Sequence, residues 1–352
     1  MKFFARITLL AAAACAVSVD LEKRETPLDV KLELIGNSNV KASITNTGSS
    51  GLKIFKTGTI LDAAAVEKVD VFSGADKVEF DGLRLTVSTE GLNEESFQTI
   101  AAGETVEVEW DVAEVHDLSS GGDFDLALKS AVSYAEEGST EIAGVIPISS
   151  NTLTATVDGA AAAQVRRDFH EKAKRQIVQS DCTGTRRTAT VNAISACRSL
   201  ALAASSAAAS GSASKMTEYY KSSSTTTRNT VASVFSRVAS ECGSSSSGVS
   251  RYYCSDVYGA CSSGVLAYTL PSQSYMVNCN LYFTGLTALS RTCHAQDQAT
   301  TTLHEVTHLT QIKGTSDYGV YGYNAVRGLS AAQNLNHADT YSLFANAIYV
   351  GC

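Results

Sequence analysis

The chain has 352 residues, 44% hydrophobic and 18% charged, with a formal net charge of −8. That length accommodates two domains, each able to bury its own core. A net negative charge offers no general attraction for nucleic acid, and no such partner is expected.

The N-terminus, "MKFFARITLLAAAACAVSV", sets Lys2 and Arg6 ahead of a short apolar run and small residues. This is the pattern of a secretory signal peptide over 1–19, cut near Ala16 or Ser18. The run is too short to span a bilayer, and no later segment is apolar enough. A secreted, extracellular monomer away from membranes is therefore expected. Cys15 leaves with the signal, and the other eight cysteines all lie between Cys182 and Cys352. In an exported chain an even set without a C-x-x-C pair reads as disulfides rather than a thiolate metal site.

Residues 20–175 read as β. "DVKLELI" (29–35), "LRLTV" (83–87), "TVEVEWDV" (105–112) and "LTATV" (153–157) alternate with period two, and Gly/Ser turns separate them. A β-sandwich-like domain is expected, with nothing catalytic in it. It carries 15 Lys+Arg against 28 Asp+Glu, a net −13, whereas residues 176–352 carry 11 against 8, a net +3. The two halves should attract.

Composition, charge and cysteine content all change at "AAAQVRRDFHEKAKRQIVQSDC". Of the dibasic pairs, Lys174-Arg175 falls at that change, which makes it the expected cut for a secretory-pathway processing protease. On this reading 20–175 is a propeptide, inhibitor and folding aid of its own mature domain, 176–352. The propeptide has no cysteine, so it cannot cap a metal with a thiolate.

In the second half, Ala/Leu-rich residues 189–209 and the stretch 225–243 have helical periodicity. "VLAYTL" (265–270) and "YMVNCNLYF" (275–283) are expected strands. A helix is expected over 295–314, ending at Gly314. Another should start at a Ser330/Gln333 capping box and run to about Tyr349.

The 295–314 helix carries "HEVTH". His304 and His308, four apart, project from one helical face, and Glu305 lies beside it. H-E-x-x-H is the zinc peptidase signature, with the two histidines as ligands and the glutamate as general base. A third ligand is needed. A metzincin would place a histidine where Gly314 stands. A thermolysin-like enzyme would use a later glutamate, but after His308 there is none. Asp317, Asp339 and His337 remain. A turn at Gly314 brings Asp317 back toward the metal, whereas Asp339, inside the last helix, suits an acceptor for a ligand histidine's other N–H. His337 reads as a helix-surface residue or a support behind the ligands.

"HEVTH" followed by "GTSDYGVYG" resembles the signature of the fungal deuterolysins, the aspzincins, and the likeness extends over 176–352. It implies an α+β chain whose mature domain is a mostly helical zincin-like fold with a small sheet. It implies one zinc ion per chain held by His304, His308 and Asp317. A tyrosine would stabilise the oxyanion. The spacing here is one residue longer than in the motif, so Tyr321 is preferred for that role, with Tyr318 and Tyr323 nearby. The resemblance also implies the pairs Cys182–Cys254, Cys261–Cys279 and Cys293–Cys352, which leaves Cys197 to pair with Cys242. The expected activity is a zymogen-derived neutral endopeptidase acting on proteins and peptides, with a preference for basic proteins. The net +3 of the mature half cannot supply that preference by general attraction. The alternative is a secreted, disulfide-rich binding protein with a structural zinc or none.

Overall fold

The computed structural model describes residues 26–174, 181–243, 248–262 and 264–352. The expected signal peptide and Arg175 lie outside the described residues.

The N-terminal part begins with β1 (Leu28–Leu34), β2 (Asn39–Asn46), β3 (Leu52–Phe55), β4 (Asp70–Ser73) and β5 (Asp76–Lys77). It continues with β6 (Arg84–Val87), β7 (Phe97–Ile100), β8 (Thr105–Asp111) and β9 (Gly122–Ala127). β10 (Lys129–Ala135), β11 (Ile142–Ser149) and β12 (Leu153–Val157) complete the run. The alternation read from sequence is real: in β1, Leu28, Val30 and Leu32 point inward while Asp29 and Lys31 face solvent. The strands pair as β1-β2-β8, β11-β10-β3-β7 and β12-β9-β4-β5. That is three antiparallel sheets rather than a plain two-sheet sandwich. Their inner faces share one core, with Val30, Leu32, Val40 and Ile44 packed with Val71, Phe124 and Leu126.

The first part of the segment where composition, charge and cysteine content change is a helix, α1 (Gly159–Lys174). Its Arg166 pairs with Asp81, and His170 Nε2 lies 3.2 Å from the same carboxylate.

The C-terminal part starts with α2 (Gly184–Ser210), α3 (Ala213–Tyr220) and α4 (Thr225–Glu241). Helix α2 buries Ile194, Cys197, Leu200, Ala201, Ala204 and Ala208 along one stripe. Helix α4 buries Val231, Val234, Phe235 and Val238, and the Ser224 hydroxyl caps it. The bond Cys197–Cys242 ties these two helices together, and Cys182–Cys254, Cys261–Cys279 and Cys293–Cys352 are the other pairs. Next come β13 (Arg251–Tyr253), β14 (Val265–Leu270), β15 (Tyr275–Asn278) and α5 (Asn280–Gly285). The strand expected over 275–283 thus stops at Asn278, because Cys279, tied to Cys261, is already the cap of α5.

Helix α6 (Gln298–His308) starts at a capping box formed by Asp297 and Thr300. It is buried along its whole length and packs with α2 and α9 (Ala338–Val350) in the largest core. It ends six residues before the expected stop. Leu309 leaves helical geometry, and its carbonyl then accepts from Ile312, Lys313 and Gly314 in a tight turn. Between them lie α7 (Tyr323–Val326) and α8 (Ala331–Asn334).

The expected final helix is broken in two. Ser330 and Gln333 do form their capping box, on α8. The chain then opens at Leu335–His337, because His337 is extended and bridges to Ser316. His337 is accordingly fully buried and not on a helix surface.

The two parts are not separate bodies. Strand β6 belongs to the N-terminal part by sequence but pairs antiparallel with β14, giving the sheet β13-β15-β14-β6. Around it, Phe55, Leu83, Leu85 and Val87 share a core with Tyr253, Tyr268, Leu270, Val277 and Tyr321. Apolar packing and strand pairing thus join the two parts. Among the described residues no helix is long and apolar enough to cross a membrane.

Candidate metal centre

His304 and His308 stand one turn apart on α6, with ring centroids 4.8 Å from each other. The turn at Gly314 (φ +64), in the left-handed conformation that glycine adopts readily, reverses the chain after α6. It returns Asp317 to the two rings. Asp317 Oδ1 lies 3.1 Å from His304 Nε2 and 3.3 Å from His308 Nε2. All three residues are buried, and their ligand atoms fall within 4.8 Å of one another. His304 Nε2, His308 Nε2 and Asp317 Oδ1 have no hydrogen-bond partner. Buried polar atoms are seldom left so. Two imidazole nitrogens and a carboxylate oxygen aimed at one point are the donor set of a zinc site.

The supports are equally specific. His308 Nδ1 donates to the Thr315 carbonyl at 2.9 Å, which puts the proton on that nitrogen and leaves Nε2 its lone pair. Asp339 Oδ1 lies 3.4 Å from His304 Nδ1, on the far side of the ring from Asp317. Its other oxygen accepts from the Gly322 amide. His337 Nε2 lies 3.0 Å from the Asp317 carbonyl and 2.9 Å from that of Val320, so it pins the loop that carries Asp317.

Electrostatics agree with a cation here. Burial disfavours charge on His304, yet the Asp317 and Asp339 carboxylates at its two nitrogens raise it to about 10. Burial works against the Asp317 anion, but His308 and His304 hold its pKa well below the usual range. For Glu305, burial dominates and raises the pKa against His308 and His304. Its two oxygens accept from Thr86 Oγ1 at 2.5 Å and Thr269 Oγ1 at 2.6 Å.

Three tyrosines follow Asp317. The Tyr318 hydroxyl accepts from Asn336, and that of Tyr323 donates to Glu218. Only Tyr321, of these, has a buried hydroxyl with no partner. Burial, followed by the Asp317 carboxylate, raises its pKa well above 10. It shares with His308 and Asp317 the lining of a cavity of about 270 Å³.

Thr269, Thr86 and Thr315 leave no mark of their role in the sequence. Each acts through a tertiary contact, and a threonine in a strand or loop carries no signal of one.

A buried helix bearing two imidazoles, completed by a returning carboxylate and flanked by a second acid, defines the class: a metallopeptidase centre. The deuterolysin metalloprotease (M35) family profile matches residues 1–352. A neutral protease 2 homolog of Colletotrichum graminicola is 65% identical over 353 residues, all of this chain and all of that protein. One from Phaeosphaeria nodorum is 58% identical over 356 residues, again all of both chains. A solved zinc peptidase from Grifola frondosa aligns with 47% of this chain and 97% of its own, at 21% identity and a TM-score of 0.40. That likeness is too slight to argue from. The chain belongs to the deuterolysin metalloprotease family, and it is a zinc metallopeptidase, a hydrolase of peptide bonds. The competing picture of a non-catalytic binding protein falls with that membership.

Proposed function

We propose that the chain is a secreted zymogen, with a signal peptide over 1–19, a propeptide over 20–175 and a mature zinc endopeptidase over 176–352. In this reading His304, His308 and Asp317 hold one zinc ion, and Asp339 orients the His304 ring. The observation that carries it is the convergence of three buried, unpartnered ligand atoms on one point beside Glu305. Zinc bound there supplies Lewis acidity for attack of water on a peptide carbonyl.

The chain's own groups do the rest. Glu305 takes the proton of the attacking water as general base and returns it to the leaving amine. Thr269, fixed in β14, holds one carboxylate oxygen in place. The Tyr321 hydroxyl is the donor for the oxyanion, because it alone among the three tyrosines has no other partner to satisfy.

The test is hydrolysis of casein and of a histone by the secreted, processed chain, with and without 1,10-phenanthroline and with zinc restored. Cleavage lost on chelation and recovered with zinc is expected. A folded, zinc-loaded 176–352 chain freed of its N-terminal part that cleaves neither would overturn the reading.

A further inference from the structure

Strand β6 reaches the candidate centre from the other side. It lies along β14 with Leu85 opposite Tyr268, Thr86 opposite Ala267 and Arg84 opposite Thr269. Without it β14 would be the edge of its sheet, a row of unpaired backbone groups beside α6. From this strand the Leu85 amide donates to Asp317 Oδ2 at 3.2 Å, and Thr86 Oγ1 donates to Glu305 Oε1 at 2.5 Å. The Arg84 guanidinium donates to Ser316 Oγ at 3.2 Å and is held from behind by Glu67. At the strand's far end the Thr89 amide donates to Gln296, whose own amide donates to the Val87 carbonyl. A second segment of the same part covers Tyr321. A Cβ built on Gly58 would stand 2.3 Å from the Tyr321 hydroxyl, so only glycine leaves room there.

We infer that β6 is a built-in plug of the active site, an extended segment lying as an added strand on β14 and engaging Asp317 and Glu305 at once. The inference rests on the endopeptidase reading of the centre. An extended peptide adding to a free sheet edge is held mainly by its backbone, so β6 occupies the place where an extended substrate backbone would pair. Thr86 meanwhile occupies the general base with a hydroxyl in place of water. No thiolate or other metal ligand from the N-terminal part is required. Because Leu85 and Val87 also sit in the shared core, cutting the chain after Arg175 leaves the plug seated. Activity appears only when β6 itself departs.

The experiment uses the full chain kept uncut by Lys174→Ala and Arg175→Ala. Hydrolysis of a fluorogenic peptide is measured together with backbone hydrogen exchange over 83–89 and 265–270. The unsubstituted uncut chain should be nearly inert, with both segments protected. Thr86→Val removes the hydroxyl on Glu305, and Leu85→Pro removes the amide on Asp317 and breaks the pairing. Each should loosen protection over 83–89 and raise hydrolysis by about tenfold or more, the scale of one lost hydrogen bond to a charged group. Should Leu85→Pro fail to fold, Thr86→Val carries the test. The inference is overturned if the unsubstituted uncut chain cleaves as fast as the 176–352 chain freed of its N-terminal part. It is equally overturned if 83–89 opens in a variant with no gain in hydrolysis while the freed 176–352 chain is active. A freed, folded and zinc-loaded 176–352 chain that is itself inactive would instead sink the endopeptidase reading, and the plug with it.

Discussion

Glu305 is gripped by two threonine hydroxyls, one from β14 and one from β6, and only the first of these remains if β6 leaves. Glu305→Gln keeps the size of the side chain and both threonine neighbours, so the fold and the bound zinc should persist. Turnover of the processed enzyme should drop by at least about 10²- to 10⁴-fold, the usual worth of a positioned proton-transfer group. Zinc analysis beside steady-state kinetics checks both halves of that statement. Retained turnover would remove Glu305 from its role. Tyr321→Phe deletes a hydroxyl that has no partner in the folded chain. Stability should therefore hold or improve, since the unmet buried donor disappears. kcat should fall by about 10²-fold with KM little changed, as for loss of one oxyanion donor. A Tyr321→Phe enzyme with undiminished kcat would shift the role to another tyrosine.

At the scale of elements, α2 and α4 are tied by Cys197–Cys242, whose closed loop spans 45 residues. Replacing both cysteines by alanine should cost about 4 kcal/mol in the chain-entropy description, less any residual order in the unfolded chain. Urea unfolding under oxidising conditions measures it, and a loss under about 1 kcal/mol would show that the helices need no tie. The elements also explain what could be read in advance. Helices α2 and α4 and strands β1, β8 and β12 announce themselves by period, because burial on one face is a local pattern. The break at Leu335–His337 does not. Ser330 and Gln333 start a helix correctly, but His337 is pulled out of it by the carbonyls of Asp317 and Val320, some 20 residues away in sequence. Strand β6 is legible as a strand, yet nothing in "LRLTV" says that its partner is β14, since pairing across 180 residues leaves no local trace. His304, Glu305, His308 and Asp317 were legible because the loop returns within nine residues of α6.

For the whole molecule, the N-terminal part carries an acid-sensitive residue away from the metal centre. His116 is fully buried, and burial pushes its pKa down to about 4, against the pull of Glu67. As pH falls from 6.5 toward 4 the unfolded chain gains a proton that the native one refuses. This stabilisation is therefore complete above about pH 6.5 and lost on acidification, by up to about 3 kcal/mol. His116→Phe should lose less stability than the unsubstituted chain between pH 7 and pH 4.5, as read by urea unfolding of the full chain. Equal losses would contradict it.

The whole chain is expected to hold one zinc ion through His304, His308 and Asp317, with Asp339 acting only through His304. The decisive measurement is the metal content of the purified full chain, unsubstituted and as Asp317→Ala and Asp339→Ala. One zinc per unsubstituted chain and none with Asp317→Ala are expected. Asp339→Ala should still bind zinc, with affinity lowered by about 10- to 100-fold. Full zinc occupancy in Asp317→Ala, with loss only in Asp339→Ala, would contradict it.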